Sequence, residues 1–244
     1  MKTALKKTYL DQWQNYHRGC FENDDAMNSC YPHLLSMRPN QEKRWKQSNL
    51  RVMIFGISPN GWDAERDLMS ESPESAITYL MNKYEEFYFD GGNWKRGEAF
   101  WNYFYTIQEM IRLKVSADAE FAWNNVYKTD MKDHNFQINH FNVTLKEILI
   151  YAPDVIILMG KGIFNPFRWS ILDDEMEWNP TPNNAGLTDL KRPVYSYIDG
   201  RSYSHLGERL KHIVMMDHAN AHTNAGIKMK FVIEELEKLL KSRN

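Results

Sequence analysis

Residues 51–62 read RVMIFGISPNGW: an unbroken apolar run that stops in a polar turn. The run Val52–Ile57 shows no alternation of apolar and polar residues, so both of its faces need cover. Near-continuous apolar strands of this kind belong to parallel sheets flanked by helices on each side. Asp154–Gly160 (DVIILMG) has the same character, and Phe121–Tyr127 (FAWNNVY) and His212–Asp217 (HIVMMD) complete a set of four strands. A short strand is also expected at Val194–Ile198.

Helical patterns separate the strands. Pro73–Tyr88 opens with Ser72 as N-cap and Pro73 at the first helical position. Gly97–Leu113 carries Phe100, Trp101, Phe104, Ile107 and Ile111 on one stripe. Asn142–Tyr151 runs up to Pro153, Arg201–Lys211 precedes the fourth strand, and Asn224–Ser242 closes the chain. Residues 174–193, rich in Pro, Asn and Gly, read as an exposed excursion. Strands alternating with helices predict an α/β fold: a three-layer αβα arrangement around a central four-stranded, mainly parallel sheet. The expected organisation is an N-terminal helical extension, residues 1–50, packed on an α/β domain over residues 51–244. Thr8–His17 is its clearest helix.

The composition sets the outer limits. A chain of 244 residues with 43% hydrophobic and 14% aromatic content can bury a core without metals or disulfides. A net charge of -2 gives no global attraction to nucleic acid or membrane, yet leaves room for a local basic groove. Cys20 and Cys30 fit no zinc pattern and read as reduced thiols. No apolar run approaches the roughly 18–20 residues of a membrane span, and residues 1–13 carry no secretory pattern. A cytoplasmic monomer without cofactor is the expectation.

In an open parallel sheet, ligands bind beyond the carboxyl ends of the strands, at the point where the strand order reverses. The sequence gathers its polar residues there. Gly56-Ile57-Ser58-Pro59-Asn60-Gly61-Trp62 follows the first strand, and Asn124-Asn125 lies inside the second. Gly160-Lys161-Gly162 follows the third, and Asp217-His218-Ala219-Asn220-Ala221-His222-Thr223-Asn224 the fourth. Each has a plainer structural alternative: a strand-to-helix turn at Gly56–Pro59, a backbone bond from Asn124 or Asn125, a cap at Thr223 or Asn224. Asp217, His218 and His222 also have a composition suited to a metal, which leaves a metal-dependent hydrolase as one reading.

Taken in order, these strand ends resemble the uracil-DNA glycosylase superfamily. Gly56-Ile57-Ser58-Pro59-Asn60 is similar to its Gly-x-(Asn/Asp)-Pro motif, and His218-Ala219-Asn220 to its His-Pro-Ser motif. Asn125 falls where the family places the amide that reads the edge of uracil. The resemblance spans about residues 50–240. It implies a glycosylase-like fold that binds a flipped or free nucleobase and hydrolyses the N-glycosidic bond of uracil or a damaged base. Its partner would be nucleic acid, DNA before RNA, or a nucleobase-like small molecule. Ser58 and His218 would be catalytic. Gly56, Ile57, Trp62 and Asn125 would bind the base. Asn60, Asn220 and Thr223 would hold phosphates. Ser58 stands where the family carries its water-activating carboxylate or amide, and Ala219-Asn220 replaces Pro-Ser. A catalytically silent nucleotide or small-ligand module of the same fold is the alternative. Lys128, Lys132 and Lys161 are the cations expected near the rim.

Overall fold

The computed structural model describes residues 1–22, 31–59, 68–90, 99–129, 134–160, 163–172, 181–183 and 195–216, together with residues 229–230, 233–234, 236–238 and 241, which are helical. Four of its strands run parallel: β1 (Arg51–Gly56), β2 (Glu120–Asn125), β3 (Val155–Met159) and β6 (His212–Met216). Their order is β2-β1-β3-β6. The sheet does not stop at the expected four strands. β5 (Tyr195–Asp199) and β4 (Thr181–Asn183) extend it to six, pairing antiparallel beyond β6. β4 falls inside the stretch read as an exposed excursion; three residues of it join the sheet.

The apolar runs do what their patterning requires. Val155, Ile156, Ile157 and Leu158 are wholly buried, as are Val52 to Phe55. Successive side chains of a strand face opposite sides. On β2 this puts Phe121, Trp123 and Asn125 on one face and Ala122 and Asn124 on the other. Register carries the same split onto β1, where Gly56 lies beside Asn125 and Met53 beside Ala122.

Six helices of seven residues or more surround the sheet among the described residues. They are α1 (Lys2–Glu22), α2 (Pro39–Gln47), α3 (Pro73–Phe89), α4 (Ala99–Lys114), α5 (His134–His140) and α6 (Thr144–Tyr151). Ser72 caps α3 as expected, its hydroxyl accepting from the Ser75 N–H. α6 ends at Ala152, in the left-handed region at φ 46, directly before Pro153. α4 meets the Phe121 face, with Arg112 over the Phe121 ring and its Nε on the Ala119 carbonyl. α6 meets the opposite face. The N-terminal segment is part of the core: Leu5, Tyr9, Trp13 and Tyr16 of α1 are buried, and Trp45 of α2 donates from Nε1 to the Tyr151 carbonyl at 2.8 Å.

The helix expected over Arg201–Lys211 does not form. Two 3-10 turns, Gly200–Ser202 and Ser204–Leu206, stand there instead. Gly207 follows at φ 106, a backbone conformation that ends any right-handed helix.

β2 is an edge strand, and its open side is closed by side chains. The N–H groups of Glu120 and Val126 bond to the Leu50 and Gly56 carbonyls, so the backbone groups of Phe121, Trp123 and Asn125 face away from the sheet. Tyr88 donates its hydroxyl to the Phe121 carbonyl and Tyr84 to the Trp123 carbonyl, both at 2.9 Å. Burial holds the Tyr84 phenol well above its usual pKa, so it stays a donor. An uncapped edge would invite strand pairing by another chain. Tyr84→Phe leaves the Trp123 carbonyl buried without a donor, and should lower unfolding free energy by about 1–3 kcal/mol. Urea titration of the two proteins checks this; superimposable curves would mean the carbonyl gains nothing from the hydroxyl.

Candidate functional site

The strand order reverses between β1 and β3, with β2 on the other side of β1. The carboxyl end of β1 borders that point, and the end of β2 stands beside it. Pairing of the two strands continues past their last residues. Val126 N–H bonds the Gly56 carbonyl at 3.0 Å and Tyr127 N–H the Ile57 carbonyl at 2.9 Å. Ile57, Ser58 and Pro59 then bend away, half-buried.

Gly56 is glycine for a spatial reason. A Cβ built there would stand 2.5 Å from the Asn125 Oδ1, a separation no real Cβ adopts, and 3.4 Å from Cε2 of Phe100. The missing side chain lets an amide and an aromatic ring converge over the end of β1. Asn125 is buried, and its Nδ2 meets no hydrogen-bond partner. A buried amide without a partner costs on the order of 1–3 kcal/mol and calls for an explanation. Phe100 was legible only as one apolar residue on the stripe of α4. Its place beside Gly56 follows from the packing of α4 on this face of the sheet.

Asn124, the neighbour, is fully satisfied. Its Nδ2 donates to Glu147 Oε2 at 3.1 Å, and its Oδ1 accepts from Lys128 Nζ at 2.8 Å. Lys128 Nζ also reaches Glu147 Oε2 at 2.8 Å, with both side chains fully buried. The other carboxylate oxygen, Oε1, accepts the Tyr9 hydroxyl at 2.7 Å, and that hydroxyl lies 3.2 Å from the Leu35 carbonyl. Burial, with Glu147 adding to it, pushes the Tyr9 phenol well above its usual pKa. Burial pulls the Lys128 ammonium below its usual value, and Glu147 opposes that pull. Lys128, expected as a cation near the rim, is thus withdrawn into the core as half of an ion pair. Sequence reading missed this because nothing in the local run Val126-Tyr127-Lys128 marks an inward lysine; its partner is 19 residues away.

The segment after β2 is held on all sides. Lys128 N–H donates to Gln137 Oε1 at 2.7 Å, and its carbonyl accepts the His33 N–H at 2.6 Å. Gln137 Nε2 and Thr144 Oγ1 both donate to the Val126 carbonyl. The His33 ring lies 4.2 Å from the Trp123 ring and 5.2 Å from that of Tyr84, centroid to centroid.

The sequence-derived site is brought together in part. Gly56, Ile57, Ser58 and Asn125 gather at adjacent strand ends. Trp62, Asn60, His218, Asn220 and Thr223 lie outside the described residues, as do Asp217 and His222 of the metal reading and Lys132 and Lys161 of the rim. Among the described residues no group of three His, Cys, Asp or Glu side chains converges, and no helix is long and apolar enough to cross a membrane. Cys20 is a free, buried thiol that burial pushes up in pKa. No protein-family model, curated protein or solved structure matches the chain.

Two outcomes follow from the buried groups. Removing one partner of the ion pair, as in Lys128→Ala, strands a buried charge and should lower stability by about 3–5 kcal/mol in urea unfolding. A loss near zero would mean Glu147 finds another partner. His33 is held well below its usual pKa, first by burial and then by Lys128. Above about pH 6.5 the imidazole is neutral in folded and unfolded chains alike; below it the unfolded chain takes up a proton that the folded chain refuses. Stability should therefore fall with falling pH, by up to about 1.4 kcal/mol per unit, and His33→Phe should flatten that slope between about pH 6.5 and 5.5.

Proposed function

We propose that the chain is a glycosylase-fold protein that takes a flipped or free nucleobase into the crevice at the ends of β1 and β2. The observation that carries this reading is the buried Asn125 amide, whose Nδ2 has no protein partner. An amide donor beside an aromatic ring suits the edge and face of a planar heterocycle. The adjacency of β1 and β2 in the order β2-β1-β3-β6 supports the reading, because the resemblance needs Gly56–Ser58 and Asn125 at one sheet end.

The roles then follow the chemistry. Asn125 donates to a carbonyl or ring nitrogen of the base. Phe100 forms an apolar wall, and Gly56, next to Ile57 at the strand end, leaves the space in which the Asn125 amide sits. For a base in DNA, extrusion from the stack costs about a few kcal/mol and the pocket must return that in contacts. By the resemblance, His218 donates to the departing base and Ser58 orients water, while Trp62 adds an aromatic face. Asn60, Asn220 and Thr223 would then hold phosphates. An unassisted serine hydroxyl is a weak general base at neutral pH, so hydrolysis leans on His218 and on how the base is held. The substitution at Ser58 is also what favours the second reading, a silent binding module of the same fold.

Incubation of the purified protein with single- and double-stranded uracil DNA tests the enzyme form. Release by the wild type that is lost in Asn125→Ala and in His218→Ala is the expected result. No release, together with thermal stabilisation by uracil or uridine that Asn125→Ala removes, identifies the silent module. Neither release nor stabilisation contradicts the reading as a whole.

A further inference from the structure

Beneath the free amide lies a group of charges that the base chemistry does not use. Lys128 and Glu147 are wholly buried. Removing two such charges from water costs several kcal/mol per ion, and an apolar pair of similar volume often gives equal or greater stability. Stability alone therefore accounts poorly for their presence. Their arrangement suggests another role. Lysine offers only donors, so Asn124 can turn only its Oδ1 toward Lys128; a carboxylate offers only acceptors, so Asn124 can turn only its Nδ2 toward Glu147. The two charges thus permit one of the two flip states of the Asn124 amide.

That flip state matters to the next residue. The Asn125 N–H faces the open edge of β2, where no strand among the described residues supplies an acceptor. Asn124 Oδ1 accepts it at 2.7 Å. With the amide reversed, two donors would face each other. We propose that Lys128, Glu147 and Asn124 form one positioning unit that sets the backbone of Asn125, and through it the buried side-chain amide of that residue. The proposal deepens the reading of Asn125 as the base-recognising group and rests on that reading for its functional meaning. None of the three touches the ligand; they are positioning residues.

The unit extends to two further elements. Tyr9 binds the second oxygen of Glu147, so α1 helps to orient the carboxylate. Gln137 fixes Lys128 from the backbone side, through its N–H. The unit accordingly spans α1, β2, α5 and α6. The N-terminal segment becomes part of the site's support.

The test is the variant Lys128→Met/Glu147→Met, followed by amide hydrogen exchange and NMR of the Asn125 side-chain NH₂. The expected result is a folded protein in which the Asn125 N–H exchanges about tenfold faster or more and the NH₂ signals broaden or split, while core amides of β3 keep their protection. Asn124→Leu, which leaves the ion pair intact, carries the same readouts should the double variant fail to fold. Unchanged exchange and unchanged NH₂ signals in the folded variants overturn the proposal. Thermal stabilisation by uracil, measured in parallel, separates the two ideas. Wild-type binding that Asn125→Ala abolishes but the double variant retains at full strength also overturns the positioning role. Absence of binding by the wild type counts against the base reading alone, since exchange at Asn125 needs no ligand.

Discussion

Asn124, Lys128, Glu147 and Tyr9 meet at one buried point, and four parts of the chain depend on it. The ion pair is closed to water, so each charge has the other and its hydrogen-bonded neighbours as its only compensation. Loss of any member strands a group that cannot be rehydrated without opening the core. This makes the network a cooperative unit, with α1 and α6 joined to the end of β2 through shared hydrogen bonds. The edge of β2 is finished by the same logic. Tyr84 and Tyr88 cap its outward carbonyls, and Asn124 caps the outward N–H of Asn125.

The Asn125 amide is one of several buried polar groups without a partner among the described residues. The chain satisfies Asn124, Val126, Tyr127 and Lys128 with care, yet leaves the Asn125 Nδ2 without a partner, in an amide whose oxygen fills the space beside Gly56. The end of β1 borders the point where the strand order reverses, between β1 and β3.

Much of the fold was readable from the sequence because its signals are local. The runs Val52–Phe55 and Val155–Met159 have no polar interruption, and only a sheet covered on both faces buries them whole. Ser72-Pro73 and Pro153 mark helix limits by backbone chemistry. Other features depend on distance. β4 and the join of β5 to β6 come from pairing across the sheet, and residues Arg201–Lys211 yield to the φ of Gly207 rather than to composition. At the site, Gly56 and Asn125 were visible because a glycine at a strand end and an amide inside an apolar strand are each unusual. Lys128 was misjudged as a rim cation because its carboxylate partner lies on another element. Phe100 was hidden among the aromatics of α4, since only tertiary packing separates it from Phe104.

The most direct measurement of the central claim is a crystal structure of the protein soaked with free uracil. The expected result is a planar ring at the ends of β1 and β2, its carbonyl within hydrogen-bond distance of Asn125 Nδ2 and its face or edge against Phe100. A ring bound elsewhere, or a crevice closed by a protein group bonded to Asn125 Nδ2, would contradict it.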